Sequence, residues 1–102
     1  MPVDLDRILT LFEEINTIPR CSGNEAGVRR WLRTWALDRN LASREDAAGN
    51  LVVQLPATGG ANKGLPVVIQ GHMDMVCEKR PDVQHDFTRD PIRCLRQDEW
   101  LT

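Results

Sequence analysis

A histidine and an aspartate two residues apart, His72 and Asp74, directly follow a run of β-branched residues, Val67-Val68-Ile69. In extended chain, residues i and i+2 project to the same side. The His72 imidazole and the Asp74 carboxylate are therefore expected to face one neighbourhood, with Met73 and Met75 pointing away. A neutral imidazole binds a metal ion through one ring nitrogen, and a carboxylate close to the other nitrogen fixes the tautomer and raises the ring's basicity. Gly71, just before the pair, leaves room for a group to approach the backbone. The spacing alone is not diagnostic. Nine of the 102 residues are Asp, so His-x-Asp arises readily from composition, and on these two residues a satisfied structural histidine is the simpler reading.

The elements that must position this pair follow from the hydrophobic pattern. From Asp4 onward, Leu5, Ile8, Leu9, Phe12 and Ile15 recur at helical spacing, with Asp4 or Asp6 placed to start the helix and Pro19 ending the pattern. Ser22-Gly23-Asn24-Glu25 reads as a capping box. The helix it opens is expected to reach about Asn40, burying Val28, Trp31, Leu32, Trp35 and Ala36, with Arg29, Arg30, Arg33 and Arg39 forming a solvated basic face. The period then changes to two. Residues 43–46 and 51–55 read as a hairpin turning at Gly49-Asn50. After a Gly-rich loop at 57–64, residues 65–70 are expected to form a strand buried on both faces. This order predicts an α/β fold, with two helices, a hairpin and a buried central strand in a mixed sheet. The pair sits at that strand's carboxyl end, where open α/β sheets gather their ligands. Beyond it lies a long connection, closed by a strand near Trp100.

Composition narrows the function class. With 13 Lys+Arg against 15 Asp+Glu, the formal charge is −2, so the chain has no electrostatic footprint for nucleic acid or an anionic membrane. No apolar run approaches the ~20 residues that a membrane helix requires. The first residues, Met1-Pro2-Val3-Asp4, have no basic region leading into an apolar one, which makes a reducing cytoplasm the expected compartment. Cys21, Cys77 and Cys94 are odd in number and include no Cys-x-x-Cys. All three are expected to be reduced and structural.

A longer pattern surrounds the pair. The stretch Val67-Val68-Ile69-Gln70-Gly71-His72-Met73-Asp74-Met75-Val76-Cys77-Glu78-Lys79 is followed by His85-Asp86-Phe87-Thr88-Arg89-Asp90-Pro91-Ile92 and by Glu99-Trp100-Leu101. Together these resemble the N-terminal part of aminoacyl-histidine dipeptidases, members of the co-catalytic zinc metallopeptidase superfamily that also includes carnosinases and aminoacylases. Ile18-Pro19-Arg20 with Ser22, Asn24 and Glu25, and Asp46 with Gly49-Asn50, are similar to that family's opening segments. The resemblance implies that His72 is a zinc ligand and that Asp74 is the catalytic-site carboxylate that orients it. It also implies hydrolysis of a dipeptide substrate of the Xaa-His type by water activated between two Zn²⁺ ions, with Mn²⁺ or Co²⁺ as alternatives. The segment at His85-Asp86-Phe87 is read as structural, with Phe87 anchoring the loop and Asp90-Pro91 turning it.

The same resemblance implies further ligands that do not follow His72 in this sequence: a bridging aspartate, a Glu-Glu pair, another acidic ligand and a late histidine; the one adjacent pair, Glu13-Glu14, lies far upstream on the first helix and in the wrong order to serve. Residues 1–102 are therefore expected to be the N-terminal portion of a metallopeptidase catalytic domain and inactive alone. An exposed sheet edge and self-association should follow. Two other readings stand beside this one. One is a non-catalytic interaction module that keeps the fold; the other is a mononuclear iron site built from His72, Asp74 and His85 as a facial triad.

Overall fold

A computed structural model describes residues 2–60 and 64–102. Among the described residues the order is α1 (Leu5–Asn16), α2 (Ala26–Asp38), β1 (Ala42–Glu45), β2 (Leu51–Gln54), β3 (Arg96–Gln97) and β4 (Trp100–Leu101). The class is α/β, as expected. The chain divides into two compact units, Arg29–Met73 on the one hand and the segments before and after it on the other.

The first unit comprises residues up to Val28 together with Asp74–Thr102. Helix α1 starts where the Asp4 carboxylate accepts the Arg7 N–H at 3.0 Å, which satisfies one of the orphan donors of the first turn. It stops where the Thr17 hydroxyl and N–H both turn back to the Glu14 carbonyl, two residues before Pro19. Its apolar stripe is only partly covered: Leu5, Ile8 and Phe12 remain exposed. The residue it buries is polar. Asn16 is 2% exposed and is fully employed, accepting from the Arg20 guanidinium at 3.1 Å, donating to Cys94 Sγ at 3.3 Å and accepting the Ile92 N–H on its carbonyl at 2.8 Å. A buried amide is tolerated only when so satisfied. Strands β3 and β4 form a short antiparallel hairpin, continued by reciprocal hydrogen bonds between Leu95 and Thr102.

The second unit carries the hairpin β1–β2, in the antiparallel register Ala42↔Gln54 to Glu45↔Leu51. Most of α2 lies in this unit and ends in a Schellman motif. Asn40 adopts a positive φ of 56°, Leu41 N–H reaches the Ala36 carbonyl, and Asn40 N–H reaches that of Leu37. Ala36 is wholly buried, while Trp31, Leu32 and Trp35 are half-buried, so the predicted stripe holds. At the hairpin turn the Asp46 carboxylate accepts from the Ala48 and Asn50 N–H groups and from the Asn50 side chain. Gly49 has φ +89°, a backbone conformation that L side chains rarely adopt, and a Cβ there would displace the Arg29 guanidinium 2.6 Å away, so the turn favours glycine.

Three expectations need correction. Residues 65–70 belong to no helix or strand among the described residues, and Leu65, Val67, Val68 and Ile69 are each more than four-fifths exposed. A β-branched run specifies extended backbone, whereas burial also requires neighbours on both faces. The basic face is not uniformly solvated either: Arg29 Nε lies 2.7 Å from Glu45 Oε1, with Arg33 at 3.2 Å from Oε2. Arg39 stacks over Trp35 at 4.0 Å. Finally, Cys21 and Cys77 are not reduced but joined as a disulfide with a Cα–Cα distance of 5.6 Å, leaving Cys94 as the free thiol. Spacing in sequence says nothing about two cysteines 56 residues apart until the fold brings their backbones together.

Because Arg29 and Glu45 are each less than one-third exposed, their pair is partly shielded from water, and Glu45→Gln should cost about 1 kcal/mol. A double-mutant cycle with Arg29→Gln, read by denaturant unfolding, should return a coupling of that size. A coupling near zero would place the pair with ordinary surface ion pairs.

Candidate metal-site segment

In sequence, His72 belongs to the second unit and Asp74 to the first. His72 lies next to the last residue of the second unit and is exposed. The backbone before it is open, since a Cβ at Gly71 would meet nothing within 4 Å.

Asp74 opens the returning segment of the first unit. Met75 N–H donates to the Arg20 carbonyl at 2.8 Å, and Cys21 and Met75 form an isolated parallel bridge. Two residues after that bonded carbonyl, the Ser22 hydroxyl donates to Asp74 Oδ2. The expected capping box is thereby overturned: Glu25 accepts instead from Gly23 N–H at 2.8 Å, and the Ser22 side chain is committed to a carboxylate 52 residues away. Burial pulls the Arg20 guanidinium below its ordinary pKa, and the Asp74 charge opposes that shift. Asp74 is thus held by a hydroxyl and set in the field of a cation, both supplied by the loop between α1 and α2. Sequence reasoning did not assign this role to Ser22 or Arg20, although both belong to the segment that resembles the family's opening.

His85 lies elsewhere in the first unit. Its ring packs edge-on against Phe87 at 4.8 Å. The adjoining turn is closed by Asp86, whose carboxylate accepts from the Thr88 N–H and hydroxyl, while Asp90 accepts the Asp86 N–H. Both rings line an open groove of about 650 Å³ that includes neither His72 nor Asp74. Among the described residues no three His, Cys, Asp or Glu side chains come together to hold a metal ion. One histidine and its carboxylate are likewise too few to hold a zinc pair.

Hydrogen bonds hold Asp46 and Asp86 below the ordinary carboxylate pKa: those of Asn50 first for Asp46, those of Thr88 first for Asp86. A carboxylate with a lowered folded-state pKa stabilises the fold above its unfolded value and loses that contribution as pH falls through its folded value. The melting temperature should therefore be level at neutral pH and drop on acidification below about pH 4. Asp46→Asn should flatten part of the drop. An unchanged melting temperature down to about pH 2.5 would show that neither turn is coupled to folding.

No family model matches the chain. Over 91 residues it is 37% identical to the cytosol non-specific dipeptidase of Escherichia coli (strain K12), covering 89% of this chain and 19% of that protein. The crystal structure of aminoacylhistidine dipeptidase from Vibrio alginolyticus superposes with a TM-score of 0.90 at 36% identity, covering 98% of this chain and 20% of the other. This chain is a homologue of the aminoacylhistidine dipeptidases. It spans about a fifth of the length of the relatives it matches. Among the described residues no helix is long and apolar enough to cross a membrane.

Proposed function

We propose that this chain forms part of the catalytic domain of a cytosolic metallo-dipeptidase, in which His72 is one metal ligand and Asp74 orients its ring. The observation that carries the reading is homology to two dipeptidases across 89–98% of the chain. The hold of Ser22 on Asp74 supports it, because a carboxylate that positions a ligand must itself be fixed. The substrate is a dipeptide, the metal is zinc or a divalent ion of similar preference, and the compartment is that of the relative named for the cytosol. Since one ligand histidine does not make a co-catalytic centre, hydrolysis belongs to a longer protein. The 102 residues by themselves are expected to be inactive.

Two assays test this. The 102-residue chain with added Zn²⁺ or Mn²⁺ should not hydrolyse carnosine-like dipeptides, and chelator-sensitive turnover would contradict the assignment of the missing ligands to other sequence. A chimera in which this chain replaces the matching stretch of the Escherichia coli dipeptidase should hydrolyse them. A folded chimera devoid of activity would favour a non-catalytic module.

The exposed run at 65–70 should also drive self-association of the isolated chain, because an unpaired, exposed apolar segment rich in β-branched residues is open to strand pairing with another copy. Sedimentation should show concentration-dependent oligomers that Val68→Lys shifts towards monomer. A monodisperse parent chain would count against it.

A further inference from the structure

We infer that Cys21 and Cys77 form a reversible thiol–disulfide site whose oxidation state sets how firmly the Asp74 segment is held. The disulfide joins the two passages of chain that meet at the Cys21–Met75 bridge. Cys21 lies next to Ser22, the hydroxyl donor to Asp74, and Cys77 lies three residues beyond Asp74 itself. In the oxidised chain, therefore, both partners of the Ser22–Asp74 hydrogen bond are covalently tethered close by. Without the disulfide, the same register depends on the Met75 N–H bond to the Arg20 carbonyl and on the Ser22 contact.

Both redox states are structurally admissible. The two cysteines are half-buried, and Ser22, Val76 and Glu78 beside them are exposed, so a small thiol has a route to the bond. Each sulfur already has a carbonyl within reach of a weak S–H donor. The Phe87 oxygen lies 3.8 Å from Cys21 Sγ, and the Met75 oxygen lies 3.8 Å from Cys77 Sγ. Reduction consequently leaves no half-buried thiol without an acceptor. Cys94 is set apart by its contact with the Asn16 amide and is not the resolving partner.

The chemistry uses a thiol of the glutathione class as reductant. Its thiolate attacks one sulfur of the pair, the Cys21–Cys77 bond breaks, and a mixed disulfide forms. A second thiolate then releases the protein sulfur. The net change turns the protein disulfide and two reagent thiols into two cysteine thiols and one reagent disulfide, with two electrons and two protons passing to the protein. The inference rests on the cytosolic reading only for its direction in the cell, where a permanent disulfide is uncommon and a labile one is redox-sensing. The measurements below do not depend on dipeptidase activity, so their failure and the failure of that reading are separable.

The test equilibrates the 102-residue chain carrying Cys94→Ser, which leaves this pair alone, across glutathione buffers from oxidised to reduced, followed by alkylation and intact mass. Alkylated thiols should rise from none to two within the series. Hydrogen exchange at the Met75 amide should accelerate about tenfold on reduction, because the exchange-protecting bridge opens more often. Cys77→Ala should exchange at the fast rate in every buffer. If Cys94→Ser perturbs the fold, the parent chain is used and Cys94 is counted as one constant alkylated thiol. A disulfide that survives the most reducing buffer, one that never forms in the most oxidising, or Met75 exchange indifferent to the redox state would each overturn the proposal.

Discussion

Cys77→Ala is expected to lower the unfolding free energy of the oxidised chain by about 4 kcal/mol, the loop-closure contribution of a cross-link spanning 56 residues. The loss is large because little else in the first unit resists opening. Its buried hydrophobic side chain is Val28, and α1 leaves Leu5, Ile8 and Phe12 exposed. The loop closed by the disulfide includes every residue of the second unit, so the constraint acts on most of the chain's unfolded ensemble. Denaturant unfolding followed by tryptophan fluorescence, with and without dithiothreitol, separates the contributions. The parent chain should fall to the level of Cys77→Ala in dithiothreitol, and the variant should not respond to the reductant. A loss below about 1 kcal/mol would mean that the Asn16 hydrogen bonds and the Cys21–Met75 bridge suffice to hold the unit.

The residues that determine local structure were the legible ones. The cap at Asp4, the helical stripe ending at Ala36 and the hairpin around Gly49-Asn50 each depend on neighbours a few positions away, and sequence spacing reports those directly. Ser22 shows the limit of that information. A serine three residues before a glutamate has the pattern of a capping box, yet its hydroxyl meets Asp74 because the Arg20 carbonyl has already captured the Met75 N–H. The disulfide was missed for the same reason, since the partner is chosen by a long-range approach of two chain segments. Residues 65–70 show a different limit: β-branching favours a strand, but pairing and burial depend on what lies alongside. The pair His72 and Asp74 was legible as a candidate from residue type alone. Its weight came from the extended motif around it, and dipeptidase homology over 91 residues agrees with that resemblance.

If Asp74 orients a ligand histidine, Asp74→Asn in the active chimera should weaken metal binding by roughly 10–100-fold, the usual cost of losing an outer carboxylate. An asparagine keeps the size and one acceptor oxygen but removes the charge that raises imidazole basicity. His72→Ala should weaken binding further, because it deletes the donor itself. Ser22→Ala leaves both groups in place and frees only Asp74 from its hydroxyl donor, so its loss should be smaller than that of Asp74→Asn, with Ser22→Thr restoring most of it. The measurement is competition for metal against a chelating dye, with circular dichroism confirming that each variant retains the fold. The ordering of the three variants carries the information. A structural role for Asp74 predicts loss of folded protein at unchanged metal affinity, whereas a positioning role predicts folded protein with graded affinities. Equal affinity for Asp74→Asn and the parent chimera would remove Asp74 from the metal site and leave its bond to Ser22 as a tie between the α1–α2 loop and the returning chain.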